Sequence, residues 1–426
     1  MSRTCRLLAR VLSRTRASAH VLLACLLALG LVGCQQTLSL TATELTADVK
    51  PAETASLEAS DGSATYDFAL DLLRASVDET SGESTLVSPL SVLYALAMAE
   101  NGADGETLAQ MEQVTGMGAD ELTDTLQAYL LRADADDSPL SLANSVWLRD
   151  SEGLAVEDSF LETCGGRLGA QVFSAPFDDS TVADVNAWIN EKTHEMIPNM
   201  LDRISDGTQL LLVNALAFEG AWEEPFDSAL VTPDTFTSED GTERDVDMMH
   251  STEGTYLEGE LATGFAKPYE GYDYLFVGLL PAEGVTVAEL LEDLDGEGLS
   301  ELLEPVDNAV VQVGLPKFTG SHEVELSDAL RALGMTDAFE EGVADFTRMG
   351  SSDAGPLYVG GVLHKTFIDV DEKGTRAAAA TAVAMDGADA PIEEEPEAKE
   401  VILDRPFVYL ILDQATMTPV FTGTVA

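Results

Sequence analysis

Residues 210–218 read LLLVNALAF, an apolar run broken by the single polar side chain of Asn214. The run is short for a helix and shows no alternation, so it predicts a strand buried on both faces. A chain that contains such a strand must cover a sheet from above and below. The run also carries a demand. Asn214 has to find hydrogen-bond partners in the interior, or the fold loses about 1–3 kcal/mol there.

The rest of the chain supplies the covers. Phe68, Leu72 and Leu73 make an apolar stripe at helical spacing, which starts a helix near Thr65. Ser88 suits an N-cap and Pro89 the first helical position. The VLYALAMA that follows is apolar nearly all round and predicts a helix buried on every side. A third helix is expected from Thr181 to Met196, with Val182, Val185, Trp188, Ile189 and Met196 toward the core. Val310–Leu315, Phe407–Leu412 and Val420–Val425 read as further buried strands. Helices gather early and strands late, without regular alternation, which is an α+β pattern in one domain.

The formal charge of −54 narrows the partners. A surface this negative repels phosphate backbones and excludes nucleic acid as a partner. It favours a soluble monomer and suits saline surroundings, where screening weakens self-repulsion. The first residues are the exception, with Arg3, Arg6, Arg10, Arg14 and Arg16 and no acid. An apolar stretch from Val21 to Gly33 follows, too short to span a bilayer comfortably. Leu31-Val32-Gly33-Cys34 resembles the bacterial lipoprotein box. That resemblance implies a signal peptide over residues 1–33, lipid on Cys34, and a place outside the cytoplasm. The protein would face the periplasm or the cell surface, or be released. Residues 34–64 read as a flexible acidic tether, and residues 65–426 as the folded domain. With Cys5 and Cys25 in the signal and Cys34 lipidated, Cys164 is left without a disulfide partner. It reads as a half-buried structural thiol.

Catalytic signatures are missing. There is neither a G-x-S-x-G elbow nor a P-loop. His194-Glu195 and His322-Glu323 begin like a zinc-peptidase motif, but Pro198 and Leu326 stand where its second histidine belongs. Asp134, Asp136 and Asp137 lack the glycine and closing glutamate of a calcium loop. No enzyme activity, metal or cofactor is expected.

The odd segment is Asp371 to Met385, DEKGTRAAAATAVAM. Its alanines suit a helix, and Thr381 and Val383 suit a strand. Read with a period of two, one face carries Thr375, Ala377, Ala379, Thr381, Val383 and Met385, all uncharged and mostly small. Such a face can slide into a sheet over a core. The segment equally suits an exposed loop or a surface helix.

Glu372 to Met385 resembles the reactive-loop hinge of inhibitory serpins. Other serpin-like pieces recur in the family's order: LVSPLSVLYALAM, LANSVWL, Val185 to Asn190, LVNALAFEGAWEEPF, VDMM, LPKF, LGMTDAF, Ala344-Asp345-Phe346 and Asp404-Arg405-Pro406-Phe407. The resemblance implies a fold of three β-sheets with eight to nine helices and an exposed loop over about 372–400. It implies a suicide-substrate inhibitor of serine or cysteine proteases, which traps the acyl-enzyme by inserting the cut loop into the main sheet. Within the family the alternative is a non-inhibitory surface binding protein. By the same resemblance the hinge is Glu372, Gly374, Thr375, Ala377, Ala378, Ala379 and Ala380. Counting from Gly374 places the reactive bond at Ala388-Asp389, with Met385-Asp386 as a second candidate. A methyl at Ala388 implies an elastase-like or subtilisin-like target with a small primary pocket. Ser88, Ser91, Asn214 and His364 match the shutter beneath the opening sheet. Gly220 and Trp222 match the breach where insertion starts, and Lys317 matches the usual partner of Glu372. The chain departs from the family in the long acidic stretch Asp389–Glu397 and in Arg376, which replaces a common acid.

Overall fold

A computed structural model describes residues 39–52, 62–77, 83–133, 138–193, 195–197, 199–205, 207–353, 355–375 and 397–426. Residues 40–426 fall in one compact unit. Cys34, Ala377, Ala378, Ala379, Ala380 and the Ala388–Asp389 bond lie outside the described residues.

The predicted strand is present as Leu210–Phe218, at the centre of an eight-stranded main sheet. On one side it runs antiparallel to Leu140–Arg149, with Asn144 opposite Asn214. On the other it runs parallel to Val359–Asp371. Beyond Leu140–Arg149 come Gln171–Ala175 and Thr43–Glu44; beyond Val359–Asp371 comes Phe318–Glu325. The helix Pro89–Gly102 lies under this sheet, with Leu90, Leu96 and Ala97 fully buried. Its other side packs on Pro419–Val425, a strand of the six-stranded second sheet. A helix between two sheets has no solvent face, which explains its apolar residues all round. The Ser88 side chain caps it by accepting from Ser91 N, and Pro89 fills the first position.

The outer face of the main sheet is covered by the helix Asp179–Lys192, and Trp188 meets Phe173 edge-on. This helix stops short of the predicted Met196. The Thr193 hydroxyl turns back to Ile189 O, and Glu195 sits at a φ of 66°, which no helix accommodates. The third sheet joins Val231–Thr237, Glu243–Glu253, Ala309–Pro316 and Glu397–Ile402. A two-stranded ribbon adds to these, and nine α-helices occur among the described residues.

Two expectations need correction. The tether does not extend through residues 34–64, because part of it docks on the domain. Thr43–Glu44 pairs with Gln171–Ala175, and Leu45 N donates to Val172 O at 2.7 Å. Thr41 N, Thr41 Oγ1 and Ala42 N all donate to Asp184 Oδ2, at 2.9, 2.6 and 2.8 Å. Backbone groups make most of this docking, so it leaves no apolar period in the sequence to read. Cys164 is fully rather than half buried, inside the turn Glu162–Arg167, and burial pushes its thiol up, away from nucleophilic use.

Candidate functional site

The site is built where Val359–Asp371 ends. The chain turns back over Asp371–Gly374, and the Asp371 carboxylate closes the turn by accepting from Lys373 N at 2.7 Å and Gly374 N at 3.2 Å. Gly374–Thr375 then forms a short strand. It pairs with Val370–Asp371 on one side and with Gly220–Ala221 on the other. Gly374 and Thr375 therefore lie inside the main sheet. Only glycine fits at 374, since a Cβ there would be 2.1 Å from Gly220 O. Thr375 is 1% exposed, and its hydroxyl meets the Tyr269 hydroxyl at 2.6 Å. Tyr269 is itself buried, stacked on Trp222 at 4.5 Å and edge-on to Phe218 at 4.9 Å. Burial pushes its phenol up, so it remains a neutral hydroxyl at any ordinary pH.

The turn is gripped from the side by the segment after Gly220. Trp222 Nε1 donates to Asp371 O at 2.9 Å, Trp222 N to Lys373 O at 2.8 Å, and Phe226 N to Glu372 O at 2.9 Å. Three successive carbonyls of the turn are thus satisfied by one strand end. Lys317 adds an ion pair to Glu372 at 2.5 Å. The hydrogen bond from Lys317 holds the Glu372 carboxyl below its usual range, and Glu372 in turn raises Lys317. Behind Trp222 and Phe226 sits Lys267, whose ammonium lies 4.5 Å from the Phe226 ring centre and pairs with Glu253 at 2.6 Å.

A second cluster lies beneath the sheet. Ser91 Oγ donates to Asn214 Oδ1, and Asn214 Nδ2 donates to Asn144 Oδ1. Asn144 Nδ2 reaches Leu168 O at 3.3 Å. Ser88 N donates to His364 Nε2 at 3.0 Å, and His364 Nδ1 faces Ser91 Oγ at 3.4 Å. With Nε2 accepting, a neutral ring carries its proton on Nδ1, toward Ser91. Ser88 Oγ donates to Val420 O at 2.6 Å and so ties the second sheet to the cluster. The demand made by Asn214 is met on both sides.

These two clusters bracket a gap. The ladder between Leu210–Phe218 and Val359–Asp371 runs from Leu210–Val359 to Ala215–Lys365, one residue beyond Asn214–His364. Among the described residues these two strands make no further pair with each other above that point. The next strand between them is Gly374–Thr375, at the top. Among the described residues the two strands pair only as far as Ala215 and Lys365, and Gly374–Thr375 lies beyond the end of that ladder. Ser91 Oγ and His364 Nδ1 lie 3.4 Å apart but are sealed beneath the sheet at 1% and 2% exposed, and the arrangement suits movement of a strand.

The structure brings Ser88, Ser91, Asn214 and His364 together, and separately Gly220, Trp222, Lys317, Glu372, Gly374 and Thr375. The sequence reading passed over Asn144, Tyr269, Lys267 and Glu253. Asn144 had a partial signal, as one of two polar residues in LANSVWL, but its pairing with Asn214 follows from strand register. Tyr269 and Lys267 had none beyond a lone lysine in the apolar stretch Ala262–Pro268.

A family model described as serpin, serine protease inhibitor, matches residues 63–426. A serpin-like protein of Methanosarcina mazei is 31% identical over 95% of this chain and 96% of its own. Serpin B6 of Pongo abelii is 34% identical over 75% of this chain and 87% of its own. The crystal structure of tengpin, a thermophilic serpin, in the native state superposes with a TM-score of 0.82 at 38% identity, covering 90% of this chain and 99% of that one. Tengpin in the latent state matches with a TM-score of 0.72 at 36% identity, covering 85% and 96%. With its α+β fold and a family model matched over residues 63–426, the chain belongs to the serpin family.

Proposed function

We propose that this serpin is a suicide-substrate inhibitor of serine or cysteine proteases. One observation carries the reading: among the described residues Leu210–Phe218 and Val359–Asp371 pair only as far as Ala215 and Lys365, and Gly374–Thr375 has entered the sheet beyond that point. In the sequence of events this supports, the protease nucleophile attacks the Ala388 carbonyl. The Ala388–Asp389 bond breaks, Asp389 leaves as a new amine that takes the proton, and Ala388 remains esterified to the enzyme. The freed strand from Thr375 onward then fills the gap over the small, uncharged residues of its inward face. An inserted strand over residues 375–387 would reach about 45 Å at roughly 3.4 Å per residue, comparable to the width of the domain. The acyl-enzyme is carried away before water completes the cleavage.

The methyl of Ala388 selects proteases with a small or shallow primary pocket, of the elastase-like or subtilisin-like kind. The Leu31–Cys34 box supports a lipid anchor on Cys34 and a site of action outside the cytoplasm. Metabolic labelling with a radioactive fatty acid, lost in Cys34→Ser, tests the anchor.

The inhibitory reading is tested by incubation with a panel of proteases. An SDS-stable adduct and a released peptide starting at Asp389, identified by mass spectrometry, are expected. Clean turnover by every protease, with no adduct and no rise in melting temperature after cleavage, would instead favour a binding protein. The fold also serves that role, as in the structure of human thyroxine-binding globulin complexed with thyroxine, which matches at a TM-score of 0.71 and 25% identity.

A further inference from the structure

We infer that the buried Tyr269–Thr375 hydroxyl pair is a latch that holds the hinge of this serpin inside the sheet at rest, and that Tyr269 is a positioning residue for loop insertion. Its effect on trapping rests on the inhibitory reading; the latch itself does not.

The argument is one of elimination among the contacts on the hinge. The grip of Trp222 and Phe226 falls on the carbonyls of Asp371, Glu372 and Lys373, so it fixes the turn whether or not Thr375 follows it into the sheet. The Lys317–Glu372 pair also acts on the turn, and both side chains are about a third exposed or less, at 32% and 24%. What concerns Thr375 itself is its short ladder with Val370 and Gly220, and its hydroxyl. Thr375 is 1% exposed and Tyr269 1% exposed, so neither hydroxyl has bulk water as an alternative. A buried hydroxyl without a partner destabilises the state that buries it, whereas a pair satisfies both. Each of the two is the other's warrant for being inside. The Tyr269 ring is held from both sides by Trp222 and Phe218, so its hydroxyl is aimed before Thr375 arrives.

Two consequences follow for the reaction. A seated Thr375 means that the first inward-facing residue of the inserting strand is already in register, so insertion after cleavage starts from a formed nucleus. A seated Gly374–Thr375 also removes two residues from the exposed loop, about 7 Å of reach. The latch therefore slows docking of a protease and favours trapping once the bond is cut.

The test is hydrogen exchange of the full-length protein, read on the peptide spanning Asp371 to Thr375, with Leu210–Phe218 as the control for global opening. Tyr269→Phe keeps the ring stacking and Thr375→Val keeps the size, but each orphans the other hydroxyl. Each should speed exchange in the hinge peptide by about 5- to 100-fold, with the control unchanged. The double variant Tyr269→Phe/Thr375→Val removes the same single interaction and should exchange no faster than either single variant. Thr375→Ser keeps the hydroxyl and should stay protected. Unchanged exchange in either single variant overturns the latch. So does a double variant in which the two losses add, since additive losses mean that the hydroxyls act independently. With a protease that forms an adduct, Tyr269→Phe should dock faster and consume more serpin per protease trapped. If no protease forms an adduct, the inhibitory reading fails while the exchange result still decides the latch.

Discussion

Asn144 and Asn214 stand opposite each other in adjacent strands of the main sheet, 3% and 2% exposed, and the amide of Asn214 donates to the carbonyl of Asn144. The pair carries the polar cluster across the sheet, from Ser91 below Asn214 to Leu168 O beyond Asn144. Asn214→Ala removes the link and orphans the Asn144 carbonyl and a Ser91 hydroxyl bond. The expected loss is about 1–3 kcal/mol for each group left unsatisfied. A double-mutant cycle of Asn144→Ala and Asn214→Ala in denaturant unfolding should show a coupling of about 0.5–3 kcal/mol. Additive losses would mean that the two amides do not act as a unit.

Gly374→Ala is expected to eject the hinge. The added Cβ would lie 2.1 Å from Gly220 O and 2.7 Å from Ala221 Cα, both backbone atoms that cannot swing aside. Limited proteolysis should cut the loop faster in this variant. The fold below the shutter should keep its protection against exchange, because the lower ladder from Leu210 to Ala215 is untouched.

Glu100 sets a pH response. It is 0% exposed near the end of helix Pro89–Gly102, and one of its oxygens accepts from Thr115 Oγ1 at 3.0 Å. Its other oxygen has no hydrogen-bond partner among the described residues. Burial pushes its carboxyl from 4.5 up to about 8. The folded state therefore prefers the protonated form. The stability this group allows is intact below pH 4.5 and is lost progressively as pH rises from 4.5 through 8. Glu100→Gln should remove that slope, so that the variant gains on the parent by a few kcal/mol at about pH 9 and little at pH 4. Denaturant midpoints of the two proteins across this range give the answer.

Salt should stabilise the protein. With a net charge of −54, acidic side chains repel one another over much of the surface. Raising ionic strength from about 0.1 to 1 M shortens the screening length from about 10 to 3 Å. The melting temperature is expected to rise over that interval, while the Lys317–Glu372 pair, about 0–1 kcal/mol at best, is weakened. A melting temperature that falls with salt would show that attractive pairs outweigh the repulsion.

The sequence by itself determined the core elements of this protein and the need for a polar cluster among them. The run at 210–218 had to be a two-face-buried strand, since its apolar side chains leave no face for water, and Asn214 had to be answered. The all-round apolar helix after Ser88 had to lie between two layers. The ordered motifs carried the family resemblance, and with it the residues of the shutter and the breach. Tertiary structure alone decided the rest, because it depends on which backbones come together. Asn144 becomes the partner of Asn214 only through register. Residues 40–52 leave the tether because an exposed strand edge offers unpaired backbone groups, which no side-chain pattern announces. Tyr269 meets Thr375 across more than a hundred residues of chain, and Gly374–Thr375 rests in the sheet because a glycine at 374 lets its backbone approach that of Gly220.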